Sequence, residues 1–118
     1  MTEGLSGCVF CRIVAGEAPA EIVHETDRII AFRDRNPRAP VHVLVAPKDH
    51  VDSAAEIGPE HGDMLAELFV VAAHVARAER VAESGWRMVT NTGPGAGQSV
   101  FHLHFHLMGG RSMGWPPG

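Results

Sequence analysis

The sequence predicts an α+β fold: a five-stranded antiparallel sheet covered on one face by one long helix, with a short helix ahead of it. Three short runs of β-type residues precede the single long segment with a helical period, and two more such runs follow it. The chain has 118 residues and 45% hydrophobic composition, which is enough for one core. We therefore expect a single domain, residues 1–118.

The first predicted elements are a short helix and three strands. Residues 8–15 favour a helix that Gly16 ends. The runs EIVHE (Glu21–Glu25) and IIAFR (Ile29–Arg33) are typical of strands, with a Thr-Asp turn between them. After the loop DRNPRAP, the segment VHVLVAP (Val41–Pro47) is a strand that its proline stops. These three strands suit an antiparallel meander.

A long amphipathic helix follows. Gly58-Pro59-Glu60 begins it, because proline suits the first turn and an acidic residue suits the positive end of a helix. Ser84-Gly85 is predicted to end it. Its apolar residues recur at spacings of three and four and so form one stripe, made of Met64, Leu65, Leu68, Val71, Ala72 and Val75.

Two further strands and a glycine-rich loop complete the chain. WRMVTN (Trp86–Asn91) alternates as a strand should, and TGPGAG (Thr92–Gly97) is the loop. The segment QSVFHLHFHLMGG (Gln98–Gly110) then contains the last strand and three of the eight histidines.

Composition excludes some classes of partner. The net charge of -4 gives no general attraction to nucleic acid or to an anionic membrane, so we expect neither as a partner. No apolar stretch approaches the ~20 residues of a membrane span. The N-terminal segment lacks a basic start followed by an apolar run, so we expect no export signal and a cytoplasmic protein.

The two cysteines, Cys8 and Cys11, form a C-x-x-C pair. A structural disulfide is not expected in the cytosol. A redox pair usually follows the first strand of a βαβ unit, and no such unit precedes Cys8. The pair therefore suits half of a zinc site, provided that two further ligands exist.

Three histidines, His102, His104 and His106, alternate with apolar residues. A strand would place the three imidazoles on one face, about 6.5–7 Å apart, and turn Leu103 and its apolar neighbours toward the core. The outer two would then be about 13 Å apart, and one metal ion could bind two adjacent members but not all three. We therefore expect the three side chains to have different roles.

The glycine-rich loop helps to choose among those roles. Alone it is equally a plain connection between strands. Beside three imidazoles it favours a phosphate cradle, because glycines let backbone N–H groups approach a ligand and Gln98 and Ser99 add donors. A metal site and a polar strand face that carries histidines by chance are the other readings of the histidines. A neutral imidazole can also attack phosphorus.

HLHFHLM fits a motif of three alternating histidines followed by two apolar residues, and it resembles the histidine triad superfamily of nucleotide hydrolases and transferases. AGQSVFHLHFHL, AFRDRNP, VHVLVAPKDH and the tail GGRSMGWPPG resemble its histidine triad nucleotide-binding (Hint) branch. The resemblance runs from about Cys8 to Gly118.

The resemblance implies a homodimer with a continuous ten-stranded sheet, which hydrolyses the P–N bond of purine nucleoside phosphoramidates through a nucleotidyl-histidine intermediate. By motif position, His104 is the nucleophile, His106 and Ser99 contact phosphate and help to protonate the leaving group, and His42 lies beneath the triad. The purine nucleoside monophosphate or its phosphoramidate would contact Asp34, Asn91, Gly97, Gln98, Phe10, Ile22 and, near the partner's site, Trp115.

The resemblance also implies a structural zinc ion held by Cys8, Cys11, His50 and His102. Three alternatives remain at this point. The chain could be a nucleotide-binding sensor or scaffold with incidental hydrolysis, a histidine triad hydrolase of dinucleotides, or a metallohydrolase that uses a zinc-bound water.

Overall fold

The computed structural model describes residues 7–118. Its strands all pair antiparallel in the order β1-β2-β3-β5-β4, which confirms the predicted sheet. Residues 1–6, which include the start of the segment examined for an export signal, lie outside the described residues. The helices and strands are α1 (Val9–Val14), β1 (Ile22–Glu25), β2 (Ile29–Arg33), β3 (Val41–Pro47), α2 (Gly62–Ala78), β4 (Trp86–Val89) and β5 (Phe105–Gly109).

Helix α1 is the predicted short helix. The Cys8 Sγ accepts the Cys11 N–H at 3.4 Å and so caps its first turn. Gly16, at a φ of 77°, takes the left-handed conformation that ends it. Both cysteines are buried, because α1 packs on the sheet at this end.

The central strands β2 and β3 are buried on both faces, and their alternate residues pack against different helices. One face packs against α2 through Val43, Val45 and Leu107, and the other packs against α1 through Phe32 and Leu44. His106 pairs with Leu44 across the sheet and points to the α1 face. The functional side chains therefore gather on the face that only the short helix covers.

The long helix is shorter than predicted at its C-terminal end. A 3-10 turn, Pro59–His61, leads into α2, and the helix stops at Ala78 instead of continuing toward Ser84-Gly85. Arg80 has a positive φ of 64°, which turns the chain out of the helix. Val81 then packs where Gly109 leaves room, since a Cβ on that glycine would lie 2.9 Å from the Val81 Cβ.

The prediction that the three histidines lie in one strand is wrong, because β5 begins at Phe105 and His102 and His104 lie before it. The predicted common face is nevertheless present, since Phe10 of α1 packs against both His102 and His104, and His104 packs against His106. The Leu103 N–H donates to the Val51 carbonyl at 2.6 Å, which draws this segment away from the ladder with β3. His102 and Leu103 are both buried, at 0% and 1% exposure, and the His102 ring lies beside Cys8 and Cys11.

Strand β4 is also shorter than the predicted Trp86–Asn91, because pairing with β5 ends at Val89. Within residues 7–118, no helix is both long and apolar enough to cross a membrane.

Candidate active site and metal centre

A cavity of about 880 Å³ opens on the α1 face of the sheet. Its apolar lining includes Phe10, Ile13 and Phe32. Its polar lining includes Asp34, Asn91, Gly97, Ser99, His104 and His106. A cavity of this kind suits a ligand that has both an apolar ring and an anionic group.

His104 has one ring nitrogen fixed and one free. Its Nδ1 lies 2.6 Å from the His102 carbonyl, which can only accept, so Nδ1 carries the proton. Nε2 then holds a lone pair, and the ring lines the cavity. The Phe10 ring packs against the His104 ring in a T-shaped arrangement, with the two ring centroids 4.9 Å apart. Burial lowers the pKa of His104, which keeps the ring neutral and nucleophilic.

The tautomer of His106 is set by two successive hydrogen bonds, the first of which comes from a backbone N–H. The Arg38 N–H donates to His42 Nδ1 at 3.0 Å, so a neutral His42 carries its proton on Nε2. That Nε2 lies 2.9 Å from His106 Nδ1, to which it can donate. The His106 proton is then on Nε2. Burial, with the neighbouring His104 and His42, lowers the pKa of His106 to about 4.

Asp34 lies beside these two histidines. Its Oδ2 is 3.3 Å from His42 Nε2 and 3.8 Å from His106 Nδ1, and the three atoms are close enough to surround a cation. The tautomers oppose that use, because His42 Nδ1 already accepts a hydrogen bond and its Nε2 therefore holds a proton instead of a free lone pair. Asp34, His42 and His106 are therefore joined by a shared proton on His42 Nε2 instead of a metal ion.

A second cluster, Cys8, Cys11, His50 and His102, brings together two thiols and two imidazole nitrogens that could bind a metal ion. Cys8 Sγ lies 3.3 Å from His102 Nδ1, and Cys11 Sγ lies 3.3 Å from His50 Nδ1 and 3.5 Å from His102 Nδ1. A tetrahedral zinc ion with ordinary bond lengths would place sulfur and nitrogen ligands about 3.6 Å apart. The described Cys₂His₂ cluster therefore fits a zinc ion in its spacing and in its donor types.

The outer nitrogens of both imidazoles are fixed as donors. His102 Nε2 lies 2.7 Å from the Pro47 carbonyl, and His50 Nε2 lies 2.7 Å from the Asp52 carboxylate. Each Nδ1 is thus left with a lone pair directed to the cysteines, as in a carboxylate–histidine–zinc arrangement. Burial and the neighbouring Cys8 raise the pKa of Cys11 to about 12. A bound cation would supply the charge that favours the thiolate.

Three expected ligand contacts are absent from the cavity lining. Ile22 is 45% exposed on β1 and lies outside the lining, which includes the chain just before it as far as Glu21. Trp115 is 84% exposed in this single chain and lies outside the lining. Gln98 is buried, and its side-chain amide bonds only to backbone groups. His42 is also outside the lining, but its Nε2 lies 2.9 Å from Nδ1 of His106, which lines the cavity.

Sequence reasoning missed several residues of the site. Ile13 follows Phe10 by three positions on α1, and this helical spacing could have identified it as a wall residue. Asp52, two positions after His50, carried an equally local signal. The roles of Pro47 and Arg38 depend on backbone atoms, which residue identity does not reveal.

Comparisons with known proteins agree with this geometry. Residues 15–113 match the model of the HIT domain family. The chain is 44% identical over 115 residues to a 14 kDa zinc-binding protein of Zea mays, covering 96% of this chain and 89% of that protein. It is 40% identical over 106 residues to a purine nucleoside phosphoramidase of Escherichia coli K12, covering 90% and 89%.

A solved structure is similar over nearly its whole length. A HIT family hydrolase from Legionella pneumophila Philadelphia 1 superposes with a TM-score of 0.92 at 45% identity, covering 94% of this chain and 99% of that chain. The Cys₂His₂ cluster fits the zinc-containing type within this group. With a family match over most of its length and relatives at this identity, the chain belongs to the HIT domain family.

Proposed function

We propose that this protein is a nucleotide-binding hydrolase that cleaves the P–N bond of purine nucleoside phosphoramidates, such as conjugates of adenosine monophosphate with an amine. The carrying observation is the His104 ring, whose Nδ1–H is held by the His102 carbonyl while Nε2 is left free. A relative of this chain is named purine nucleoside phosphoramidase, and another is named a HIT family hydrolase.

The cavity suggests how the substrate lies. The purine lies against the apolar side chains of Phe10 and Ile13, and Asp34 accepts hydrogen bonds from the ribose hydroxyls. The phosphate lies beside His104, where Ser99 and the loop that ends at Gly97 offer donors. This placement brings phosphorus next to the free nitrogen of the proposed nucleophile.

The first chemical step is displacement at phosphorus. His104 Nε2 forms a bond to phosphorus, and the P–N bond to the amine breaks. The negative phosphate favours uptake of a proton by His106 at Nδ1, beside Asp34 Oδ2 at 3.8 Å, while His42 Nε2–H donates to the same carboxylate oxygen at 3.3 Å. The His106 Nε2–H then passes to the departing nitrogen and leaves a neutral ring with its proton on Nδ1. The His102 carbonyl stabilises the positive charge on the modified His104 ring through its hydrogen bond with Nδ1–H.

The second step is hydrolysis of the nucleotidyl-histidine. Water attacks phosphorus, its proton goes to the neutral His106, and the bond from phosphorus to His104 Nε2 breaks. The nucleoside monophosphate leaves, His104 is again neutral, and His106 releases to solvent the proton that it took up when the phosphate bound. Asp34, within 3.8 Å of His106 Nδ1, stabilises the protonated form of that ring in both steps.

Replacement of the nucleophile tests this proposal. We expect His104→Asn to reduce turnover of a fluorogenic adenosine phosphoramidate to background and to retain binding of adenosine monophosphate. The loss follows because the amide offers no nucleophilic lone pair, while the cavity walls are unchanged. Steady-state assays and calorimetry measure the two quantities. Turnover within a few-fold of the unmodified protein would refute the assignment of His104, and binding without turnover in the unmodified protein would favour the sensor alternative.

We also propose that the Cys₂His₂ cluster binds a structural zinc ion through Cys8, Cys11, His50 and His102. A relative is named a 14 kDa zinc-binding protein, and the cluster has closed tetrahedral donors with no position left for a reactive water. When bound, the ion would hold helix α1 and the segment that contains His102 together through its four ligands. His102 belongs to this cluster, and His104 and His106 belong to the cavity.

Metal removal distinguishes this role from metal-assisted hydrolysis. We expect elemental analysis to give one zinc ion per chain, and Cys11→Ser to lose it and to lower the melting temperature, since metal binding adds to folding free energy. At a temperature where the metal-depleted protein is still folded, turnover should persist in part. Complete loss of turnover in a folded, depleted protein would favour a zinc-bound water as the nucleophile.

The predicted homodimer stays a proposal. Among the strands of residues 7–118, β4 lies at one edge of the sheet, where it could pair with the same strand of a second copy. Helix α2 exposes Phe69 at 48% and Val70 at 66%, more apolar surface than a helix face needs in water. Pairing of the β4 edges would make the ten-stranded sheet and bring the Trp115 tail of each copy toward the other.

A further inference from the structure

Gln98 lies between the metal cluster and the cavity. It is 6% exposed, and its Oε1 accepts the Gly93 N–H at 2.8 Å. Its Nε2 donates to the Asp52 carbonyl at 2.8 Å and to the Val100 carbonyl at 3.2 Å. Both amide protons are therefore used within the protein, and none is left for a bound phosphate.

The groups that Gln98 joins belong to different sites. Gly93 is the second residue of the glycine-rich loop, which ends at Gly97 in the cavity wall. Asp52 lies two residues after the cluster residue His50 and accepts its Nε2–H. The Gln98 amide thus connects the loop proposed to hold phosphate with the segment proposed to hold metal, by hydrogen bonds at both ends.

A second connection runs through His102. Its Nδ1 faces the cysteines of the cluster, and its carbonyl holds the Nδ1–H of His104 at 2.6 Å. The neighbouring Leu103 N–H donates to the Val51 carbonyl at 2.6 Å, which ties this segment to the one that carries His50. Movement of the cluster ligands would therefore displace the proposed nucleophile.

From these contacts we propose that metal binding at the Cys₂His₂ cluster and nucleotide binding in the cavity are energetically coupled, and that Gln98 is a positioning residue that carries part of the coupling. The inference rests on the proposed function, since it takes the loop and His104 as the phosphate site. Coupling is reciprocal: nucleotide must raise the affinity for zinc by the same factor as zinc raises the affinity for nucleotide.

The zinc-loaded protein tests this coupling directly. A chelating zinc indicator measures the apparent zinc affinity with and without saturating adenosine monophosphate. We expect the nucleotide to raise that affinity about fivefold or more in the unmodified protein, in the usual range of coupling. In Gln98→Glu the effect should fall toward onefold. The carboxylate still accepts the Gly93 N–H, but it cannot donate to Asp52 or Val100.

Controls separate coupling from general destabilisation and from chelation of zinc by the nucleotide. Thr26→Val removes the hydrogen bond from Thr26 Oγ1 to Glu67 on the α2 side, so it should lower stability and keep the nucleotide effect. Chelation by the nucleotide would affect every variant equally. If Gln98→Glu does not fold, hydrogen exchange of the Gly93 amide replaces it, and metal removal should speed that exchange.

Five outcomes decide the proposal. A nucleotide effect in the unmodified protein that Gln98→Glu loses and Thr26→Val keeps supports it. Nucleotide binding with no effect on zinc affinity overturns it, and so does a full effect in Gln98→Glu. Gly93 exchange that is unchanged by metal removal overturns it as well. Absence of nucleotide binding to the zinc-loaded protein is a different result, because it refutes the proposed function and this inference together.

Discussion

Single side chains decide where a base can lie in this cavity. Ile13 is buried on α1 beside Phe10, whereas Ile22 is exposed on β1, outside the lining. We expect Ile13→Val to weaken binding of adenosine monophosphate about three- to fivefold, because one buried methylene is worth about 0.8 kcal/mol. The matched Ile22→Val should leave calorimetric affinity unchanged. The opposite ranking of the two variants would place the base against β1.

The reactive side chains are predictable from sequence, but their protonation pattern is not. The motif resemblance identified His104, His102 and the two cysteines as the chemically important residues. Which ring nitrogen carries the proton depends on the carbonyls of His102 and Pro47. Every residue has a carbonyl, so only the folded backbone reveals which of them accepts. This is also why Gln98, predicted to contact phosphate, bonds the backbone instead.

At the scale of elements, the glycine-rich loop offers a comparison of two neighbouring glycines. Gly97 has a φ of 93°, whereas Gly95 has no positive φ and a Cβ there would meet no atom within 4 Å. We expect Gly97→Ala to lower the free energy of unfolding by about 1–2 kcal/mol, the cost of a left-handed conformation for a residue with a Cβ. It should also weaken nucleotide binding, because the strained loop shifts its N–H groups.

Gly95→Ala is the control for that loop, and it should change neither quantity by more than a few tenths of a kcal/mol. Urea unfolding measures stability, and calorimetry measures affinity. Equal effects of the two alanines would show that loop flexibility, rather than the backbone conformation at residue 97, matters for phosphate.

Elements whose signals are local were predicted well, and those set by distant contacts were not. Strand β3 has its predicted bounds, since an apolar run ended by Pro47 leaves little choice. The end of α2 depends instead on the turn at Arg80 and on the packing of Val81 against Gly109. The histidine segment alternates like a strand, but the Leu103 N–H bonds to the Val51 carbonyl instead of β3, and pairing begins only at Phe105.

At the scale of the whole molecule, the two faces of the sheet differ in composition. The α2 face carries most of the buried core, whereas the α1 face carries four histidines whose pKa values are lowered, chiefly by burial. Buried neutral imidazoles are tolerated only while they stay unprotonated. The same burial that prepares the site for chemistry at neutral pH therefore makes the fold sensitive to acid.

Acid sensitivity should be measurable at His106. Its pKa is lowered to about 4 in the folded protein and is about 6.5 in the unfolded chain. Between these values the unfolded state binds more protons, so stability falls as the pH falls through this range. We expect His106 to account for up to about 2 kcal/mol of the loss between pH 8 and pH 5. His106→Gln lacks this group and keeps the cluster residues, so urea unfolding of the zinc-loaded proteins should show a shallower loss. An equal loss in both proteins would mean that His106 is already protonated in the fold near pH 6.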